Sequence, residues 1–342
     1  MRIGIVGDVH WSKSSSIIPA KGDRYSLRLT KLIDSVNYAE HATRDCDFVV
    51  YLGDFFDRSD IEAEEMTALK EVCWNFKQHY LLVGNHEVFN RSLEDTGLFN
   101  NTARVFDLMN FAVFPEVWNL KKDGVRFIFL PYQTEKNALD LNTIPKYEGK
   151  TVIFSHNDLQ IRYGAYLSTS GYSVEDIEKN CDLFINGHIH NFSTVGKKIV
   201  NLGNLTGQNF GEDALIYPHR IAFLDTDTME LTYEENPYAF NFYKISTLGK
   251  AGRLLPELKD NALISITCSE EQESAVRKEV EESKKILASR VIVQRTISPT
   301  TITTEKDLHV EDHREQFVTY VSTVRALNDD EKAELALLVG RN

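Results

Sequence analysis

The chain has 342 residues and carries 38 Lys and Arg against 51 Asp and Glu, which gives a formal net charge of −13. This length suffices for one large domain and a smaller one. The acidic charge argues against a dedicated basic surface for nucleic acid, although bound divalent cations can invert the sign of a local site. The four cysteines form no C-x-x-C pair, which is typical of free thiols in a reducing cytosol. The first apolar run ends at Asp8 and no later run approaches the length of a membrane span, so we expect a cytoplasmic protein.

Short apolar runs alternate with helical patterns through the first two thirds, which predicts a layered α/β domain. Apolar residues at helical spacing predict helices over 29–39 and 66–76, and a capping-box pattern at 173–176 begins another. Lys122-Asp123-Gly124 predicts a hairpin turn. The predicted buried strands are 3–6, 48–52, 80–83, 127–130, 151–154 and 183–185.

The last third has a different pattern, and Asn236-Pro237 marks a boundary near residue 237. A strand over 263–266, a charged helix over 270–287 and a strand over 291–293 predict a small β-α-β cap domain. We therefore expect a catalytic domain over 1–237, a cap over 238–300, and a linker with C-terminal helices over 301–342. An apolar helical face in that last segment suits either packing on the body or contact with a partner.

Polar residues follow five of the predicted strands directly, usually behind a glycine. They are Asp8 and His10, Asp54 and Asp57, Asn85 and His86, His156, and the pair His188 and His190. Taken singly, each has an ordinary structural explanation as a turn residue, a helix cap or a core histidine. Together they meet at the carboxyl edge of an α/β sheet, which is where ligands bind. The sequence therefore predicts a functional site at this edge.

The residue types indicate what this site binds. Mixed carboxylate, amide and imidazole donors without thiolates suit Mn²⁺, Fe or Zn²⁺ better than Ca²⁺ or a structural zinc. Seven of these residues are candidate ligands: Asp8, His10, Asp54, Asn85, His156, His188 and His190. Seven ligands exceed the needs of one ion, so we expect two ions. Paired metals serve the displacement of oxygen at phosphorus, which indicates hydrolysis of a phosphate ester.

The series D-x-H, G-D-x-x-D, G-N-H-[DE], a lone His and G-H-x-H over residues 8–190 resembles that of the calcineurin-like metallophosphoesterases. The resemblance implies a central mixed β-sandwich flanked by helices, with two Mn²⁺ ions, or Mg²⁺, Fe or Zn²⁺ in their place. It implies that Asp54 bridges the ions, that Asp8, His10 and His190 complete one site, and that Asn85, His156 and His188 complete the other. It also implies that His86 contacts the scissile phosphate and helps protonate the leaving oxygen. We count Asp57 with His86 as catalytic.

Within that superfamily, the chain resembles the SbcD-type nucleases. The resemblance lies in the stretches 53–57 and 187–190, in the N-terminal position of the catalytic domain and in the β-α-β cap that follows it. These are the DNA-cutting subunits of a break-repair complex of bacteria and phages. The resemblance implies exonuclease or endonuclease activity in recombination and double-strand-break repair, an SbcC-type ABC ATPase partner and a homodimer. The chain departs from the usual pattern at Trp11-Ser12, at Glu87 and at Asn157.

Three other functions remain open at this point. A serine/threonine protein phosphatase of the same superfamily also carries G-N-H-E and an Asp-Arg pair, here Asp57-Arg58. A small-molecule phosphodiesterase and a non-catalytic metal-binding scaffold are the others. If DNA is the substrate, Lys13, Arg24, Arg58 and Arg91 lie near the motif loops and are candidate backbone contacts, or else solvated surface charges.

Overall fold

The computed structural model of the chain describes residues 1–20, 22–88, 105–106, 111–134, 138–163, 166–250, 252 and 254–295. Its architecture is mixed α/β, with sheets flanked by helices, as the sequence predicts. The described residues up to Gln294 belong to one compact unit. The predicted C-terminal helices lie outside the described residues. Within the described ranges, no helix is long and apolar enough to cross a membrane.

The first large sheet has six strands. In chain order these are β1 (Arg2–Val6), β2 (Phe48–Tyr51), β3 (Gln78–Leu82), β4 (Ala112–Phe114), β13 (Arg220–Asp225) and β14 (Glu230–Glu235). Across the sheet the order is β14-β13-β1-β2-β3-β4, with β1 to β4 mutually parallel and β13 antiparallel to β1. The strands predicted over 3–6, 48–52 and 80–83 are confirmed. The carboxyl ends of β1, β2 and β3 therefore lie side by side at one edge of this sheet.

The second large sheet also has six strands. They are β5 (Trp118–Lys122), β6 (Val125–Leu130), β7 (Lys150–Ser155), β10 (Leu183–Asn186), β11 (Ser193–Val195) and β12 (Ile199–Asn201), in the order β11-β12-β10-β7-β6-β5. The short strands β8 (Arg162–Tyr163) and β9 (Tyr166–Leu167) form a separate hairpin. The predicted turn between β5 and β6 is confirmed, with positive φ at Asp123 and Gly124 as a tight hairpin requires.

Helices cover the outer faces of both sheets. They are α1 (Leu27–Ala42) and α2 (Ala63–Leu69) on the first sheet and α3 (Val174–Asn180) on the second. The predicted cap of α3 is confirmed, because the Ser173 hydroxyl accepts from Asp176 N at 3.1 Å. Between the sheets lies a shared apolar core that includes Ile3, Ile5, Val50, Phe127, Phe154 and Ile185. The order of layers is thus helix, sheet, sheet, helix.

The helix predicted over 66–76 is wrong beyond Leu69, where α2 ends. Turn hydrogen bonds continue through Val72, whose N donates to Leu69 O at 3.3 Å, and beyond it the backbone is held by α1. Cys73 N donates to Asn37 Oδ1 at 2.7 Å, and Asn75 N donates to Glu40 Oε2 at 2.9 Å. Phe76, expected on the apolar helical face, is fully exposed.

A third sheet follows the two large ones in the chain. It comprises β15 (Asn241–Ser246), β16 (Ala262–Ser269) and β17 (Ile286–Gln294), all parallel, with helix α4 (Glu273–Glu282) between the last two strands. The predicted β-α-β pattern is confirmed, but the helix predicted over 270–287 is too long. A 3₁₀ turn occupies Glu270–Gln272 and the chain is already extended at Ile286, because β17 begins its parallel pairing with β16 there.

Candidate metal centre

The parallel strands deliver their polar residues to one edge of the two sheets. Asp8 and His10 follow β1, and Asp54 follows β2; all three are almost wholly buried. From the second sheet, His156 follows β7 and is also buried, while His188 follows β10. The carboxyl ends of β1, β2, β3, β7 and β10 therefore meet, which is the placement that the sequence predicts.

A first group of candidate ligands comprises Asp8, His10 and His190, with one ligand atom of each within 4.8 Å of the others. The Nε2 atoms of His10 and His190 are 3.0 Å apart. On the far side of each ring, Nδ1 faces a carboxylate: Asp57 Oδ1 lies 3.2 Å from His10 Nδ1, and Glu212 Oε1 lies 2.8 Å from His190 Nδ1. Both rings thus turn Nε2 towards a common point.

A second group comprises Asp54, His156 and His188, again within 4.8 Å of one another. His156 Nε2 lies 3.1 Å from Asp54 Oδ2 and 3.1 Å from Asn85 Oδ1. His188 Nδ1 lies 2.9 Å from the same Asn85 oxygen, and its Nε2 lies 3.1 Å from Asp158 Oδ1. Asn85 is thereby placed with the second group, as the resemblance implies.

Hydrogen bonding on the outer side of the rings determines which nitrogen faces the centre as a lone pair. Carbonyl and carboxylate oxygens only accept, so His156 Nδ1, 2.8 Å from Leu52 O, carries a hydrogen, and so does His190 Nδ1 beside Glu212. In the neutral form of each ring, Nε2 then turns a lone pair towards other acceptors, and in the protonated form it carries a hydrogen there. Such close contacts between acceptors are stable only with a proton or a metal cation between them, and a metal cation satisfies several at once.

Asp54 lies between the two groups and concentrates the negative charge of the centre. Burial raises the pKa of the Asp54 carboxyl, but His156, His10 and His86 outweigh burial and hold that pKa well below its usual range. Burial also lowers the pKa of His156, yet Asp54 and Asp8 raise it to about 9. An ionised carboxylate is therefore fixed where two cations would share it.

His86 stands at the side of this centre, with Nε2 4.0 Å from Asp54 Oδ2. Its backbone N donates to Asp54 Oδ1 at 2.9 Å, and its Nδ1 donates to Asp57 O at 2.7 Å. Because the Asp57 carbonyl only accepts, Nε2 is the nitrogen left to interact with a substrate. The Asp57 carboxylate also lies 3.2 Å from His10 Nδ1, although His10 Nδ1 forms no hydrogen bond in the described part of the chain.

The local backbone is strained where these side chains are presented. His10, Asp54 and His188 have φ values of 51°, 44° and 68°, which is uncommon for residues other than glycine. Gly53 has a φ of 108°, and a Cβ there would lie 2.5 Å from His156 Nδ1. The glycine that precedes Asp54 therefore lets two strands approach closely enough for Asp54 and His156 to meet.

Two carboxylates at the outer side of the histidines were not predicted. Glu212, which is buried, binds His190, and Asp158, which is half-buried, binds His188. Asp158 stands two residues after His156, so its position beside a motif was a usable signal. Glu212 lies in an irregular segment after β12 with no motif around it, and only the folded chain brings it to His190.

The three departures from the usual motif pattern have structural roles. Trp11 is buried and its Nε1 donates to Glu65 O at 3.1 Å. The Asn157 amide donates to Leu130 O and Pro131 O at 3.2 and 2.9 Å. Glu87 is fully buried and accepts from Phe55 N and Gly84 N at 2.7 and 2.6 Å, so it links the second and third motifs.

The predicted DNA contacts lie among carboxylates. Lys13 pairs with Glu62 at 2.7 Å, and Arg24 pairs with Glu71 at 3.0 Å. Arg58 is engaged most fully, with Glu65 and Glu62 as partners at 2.6 and 3.1 Å. Arg91 lies outside the described residues. Contact of these cations with DNA stays a prediction.

The residues present fit two divalent cations. Asp54 and His10 also form a third possible ligand group with His86, which joins the first two groups through Asp54. Carboxylate, amide and imidazole donors thus converge around Asp54, a set that suits first-row divalent metals. Asp8 Oδ2 is buried and has no hydrogen-bond partner in the described part of the chain. Such an orphaned carboxylate oxygen is costly unless a cation satisfies it. The roles of the seven individual ligands remain a prediction that the geometry allows.

Comparison with known proteins identifies the family of this chain. No curated protein matches it. Among solved structures it is similar to TT1561 of Thermus thermophilus, at 9% identity and a TM-score of 0.38 over 68% of this chain and 98% of that one. A 5′-nucleotidase precursor from the same organism matches at 11% identity and a TM-score of 0.34, over 68% of this chain and 53% of that one. The sequence profile of the calcineurin-like phosphoesterases matches residues 1–192, and members of this family hydrolyse phosphoesters, typically with two divalent metals. The chain belongs to the calcineurin-like phosphoesterase family.

Proposed function

We propose that this phosphoesterase is a Mn²⁺-dependent DNA nuclease, an exonuclease or endonuclease that acts as the SbcD-like subunit of a recombination and double-strand-break repair complex. Asp8, His10 and His190 would hold one ion, and Asn85, His156 and His188 the other, with Asp54 between them. When bound, such a pair neutralises charge on phosphate oxygens and lowers the pKa of a coordinated water.

The observation that carries the nuclease proposal is the parallel β-α-β unit that follows the family-matched residues. It is joined to the segment that carries Glu212, because Gly207 N donates to Phe240 O at 3.1 Å and Ala214 N donates to Phe242 O at 2.7 Å. Glu212 lies between those two contacts and binds His190. The cap is thus connected to the metal centre through one short segment, which suits a DNA-contacting element placed beside the scissile bond.

The chain's own residues would act on the phosphodiester as follows. His86 is oriented by its hydrogen bond to Asp57 O, which leaves Nε2 free to stabilise or protonate the departing oxygen. Glu212 and Asp158 hold the rings of His190 and His188 in the orientation that presents a lone pair to an ion. Asp57 steadies both His10 and His86.

The pairing of Arg58 argues against a protein phosphatase. In the phosphatase reading, the arginine of the Asp-Arg pair holds the substrate phosphate. Here its guanidinium binds Glu65 at 2.6 Å, Glu62 at 3.1 Å and the Ser12 hydroxyl at 3.1 Å. Those carboxylates would have to release Arg58 before it could hold a phosphate, so no described contact supports that role.

The test compares substrates with the purified chain and Mn²⁺. Linear duplex DNA and bis-p-nitrophenyl phosphate should both be cleaved, and cleavage should stop with EDTA and in Asp54→Asn. A phosphopeptide should be turned over poorly. Strong phosphopeptide turnover without DNA cleavage would contradict the nuclease proposal and support a phosphatase. Intact DNA and phosphopeptide with hydrolysis of bis-p-nitrophenyl phosphate alone would support a small-molecule phosphodiesterase.

The proposal includes two partners, a second copy of the chain and an SbcC-type ABC ATPase. The apolar positions Phe317, Tyr320, Val321 and Val324 share one face if helical, which suits helix-in-groove binding. A chain that ends at residue 305 should therefore keep its hydrolase activity and lose the ATPase in a pull-down. Retained binding would place the partner contact elsewhere in the chain.

A further inference from the structure

An open cavity of about 370 Å³ lies beside the candidate metal centre. Its lining consists of Ser14, Ser15, Ser16, Arg28, Asp57 and Gln208. Asp57 connects the cavity to the centre, since its Oδ1 is 3.2 Å from His10 Nδ1 and its carbonyl accepts from His86. A substrate held at the centre could therefore extend into this cavity.

Arg28 is the one cation among the described residues of the lining, and it is held in place by the loop after β1. Although it belongs to α1, it is only 3% exposed. Its Nε donates to Ser12 O at 3.1 Å, and its Nη2 donates to His10 O at 2.9 Å and to Gln208 Oε1 at 2.5 Å. The guanidinium is thus anchored on one side by acceptors that are neutral.

The other side of the guanidinium is available. Nη1 donates to no residue in the described ranges, and Arg28 lines an open cavity. No carboxylate forms an ion pair with Arg28 within the described residues, in contrast to Lys13, Arg24 and Arg58. A buried guanidinium with free hydrogens binds a phosphate strongly and directionally.

The rim of the cavity adds hydroxyl donors. Ser14 and Ser16 are exposed, and among the described residues their hydroxyls make no hydrogen bond. The Ser15 oxygen accepts from Ile17 N and Ile18 N at 3.2 and 3.0 Å, which leaves its hydroxyl hydrogen available. Serine hydroxyls together with an arginine are common contacts of nucleic-acid phosphates. Asp57, the one carboxylate among the described lining residues, lies 3.2 Å from His10 Nδ1.

We propose that this cavity is a second phosphate subsite, in which Arg28 and the hydroxyls of Ser14–Ser16 bind a phosphate group adjacent to the scissile one in the substrate. The inference rests on the proposed function, because a polynucleotide supplies regularly spaced neighbouring phosphates. It explains how an acidic chain, with its other nearby described cations paired to carboxylates, holds a polyanion in register at the metal centre.

The test uses nucleotides as competitors of bis-p-nitrophenyl phosphate in the Mn²⁺-loaded protein. Thymidine 3′,5′-bisphosphate fills both subsites, whereas thymidine 3′-phosphate and thymidine 5′-phosphate fill one. In the wild type, the inhibition constant of the bisphosphate should be about 10-fold lower than that of either monophosphate, as expected for one added charge-assisted contact. Arg28→Gln should bring this ratio close to one.

Because Arg28 also anchors the motif loop, a second variant keeps the proposal testable if Arg28→Gln fails to fold. Ser16→Glu adds a negative charge at the exposed rim and should reduce the ratio several-fold. Thr228→Glu, exposed in the hairpin at the opposite end of β1 from Asp8, is the matched charge control and should keep the wild-type ratio. A bisphosphate that binds no more tightly than the monophosphates would overturn the subsite, and so would an unchanged ratio in Ser16→Glu.

The subsite and the nuclease proposal fail differently. Intact DNA together with a high bisphosphate preference would overturn the nuclease activity and leave the subsite standing. DNA cleavage without any bisphosphate preference would overturn the subsite alone.

Discussion

Glu212 Oε1 accepts a hydrogen bond from His190 Nδ1 at 2.8 Å, and this contact orders one side of the candidate metal centre. The carboxylate is buried and is itself held by the Asn204 amide and by Gln208 N at 2.9 and 2.7 Å. Burial raises the pKa of Glu212, but the hydrogen bond and charge of His190 outweigh burial and lower that pKa below its usual range. An ionised Glu212 fixes the tautomer of His190 and makes its Nε2 a better donor to a cation.

Replacing Glu212 should therefore weaken the metal site without removing a ligand. In Glu212→Gln we expect the Mn²⁺ affinity to fall about 10- to 100-fold, the usual cost of losing an outer hydrogen-bond partner of a ligand. Isothermal titration of the metal-free protein measures it, independently of activity. Glu230→Gln, an exposed residue on β14, is the matched control and should bind like the wild type. Unchanged affinity in Glu212→Gln would show that His190 is not a ligand oriented by this carboxylate.

His86 and Asp54 should separate catalysis from metal binding. In His86→Ser we expect both ions to remain bound and the rate to fall about 100-fold or more, since positioned proton transfer commonly contributes that much. In Asp54→Asn we expect loss of metal as well, because the carboxylate lies between both ligand groups. Metal content by elemental analysis and hydrolysis of bis-p-nitrophenyl phosphate give the two readouts. A wild-type rate in His86→Ser would contradict its role.

The strand-end residues could be predicted from the sequence because their placement follows from topology. A buried parallel strand ends where its apolar run ends, and parallel neighbours end at one edge. Asp8 and Asp54 therefore had to converge at the edge of the first sheet, whatever the details of the loops. His156 follows β7 of the second sheet and reaches them because the two sheets pack face to face, which strand order alone does not predict. The same logic could not assign Glu212, since its segment has no regular structure and its contact with His190 exists only in three dimensions.

Arg28 and the end of α2 show a different limit. Helical periodicity predicts that apolar positions are buried and charged positions are exposed, so it predicts that an arginine on α1 lies at the surface. It is buried because His10 O and Ser12 O accept its hydrogens, and no local pattern reports such distant acceptors. Likewise, the spacing that predicted a helix through Phe76 carried no sign that Asn75 would bind Glu40 instead.

Gly53 should be far less tolerant of a side chain than a glycine in open space. In Gly53→Ala the new Cβ would lie 2.5 Å from His156 Nδ1 at a φ of 108°, so we expect a loss of unfolding free energy of about 3 kcal/mol from strain and overpacking. Gly124 also has a positive φ, 75°, but nothing lies within 4 Å of a Cβ there. Gly124→Ala should therefore cost only about 1 kcal/mol. Urea unfolding of both variants tests this, and equal losses would rule out the close approach at Gly53.

His219 should make the fold sensitive to mild acid. It is 3% exposed, its Nδ1 donates to Asn204 O at 3.2 Å, and its Nε2 has no partner among the described residues. Burial lowers the pKa of His219 below its ordinary value of 6.5, so the folded state takes up its proton less readily than the unfolded chain. The contribution of His219 to stability is then fully present above pH 6.5 and is lost progressively as the pH falls below that value.

Urea midpoints at pH 7.5, 6.5 and 5.5 should decline less steeply in His219→Gln than in the wild type. His41→Gln, at the exposed end of α1, should keep the wild-type slope, and a wild-type slope in His219→Gln as well would mean that this histidine does not titrate on unfolding.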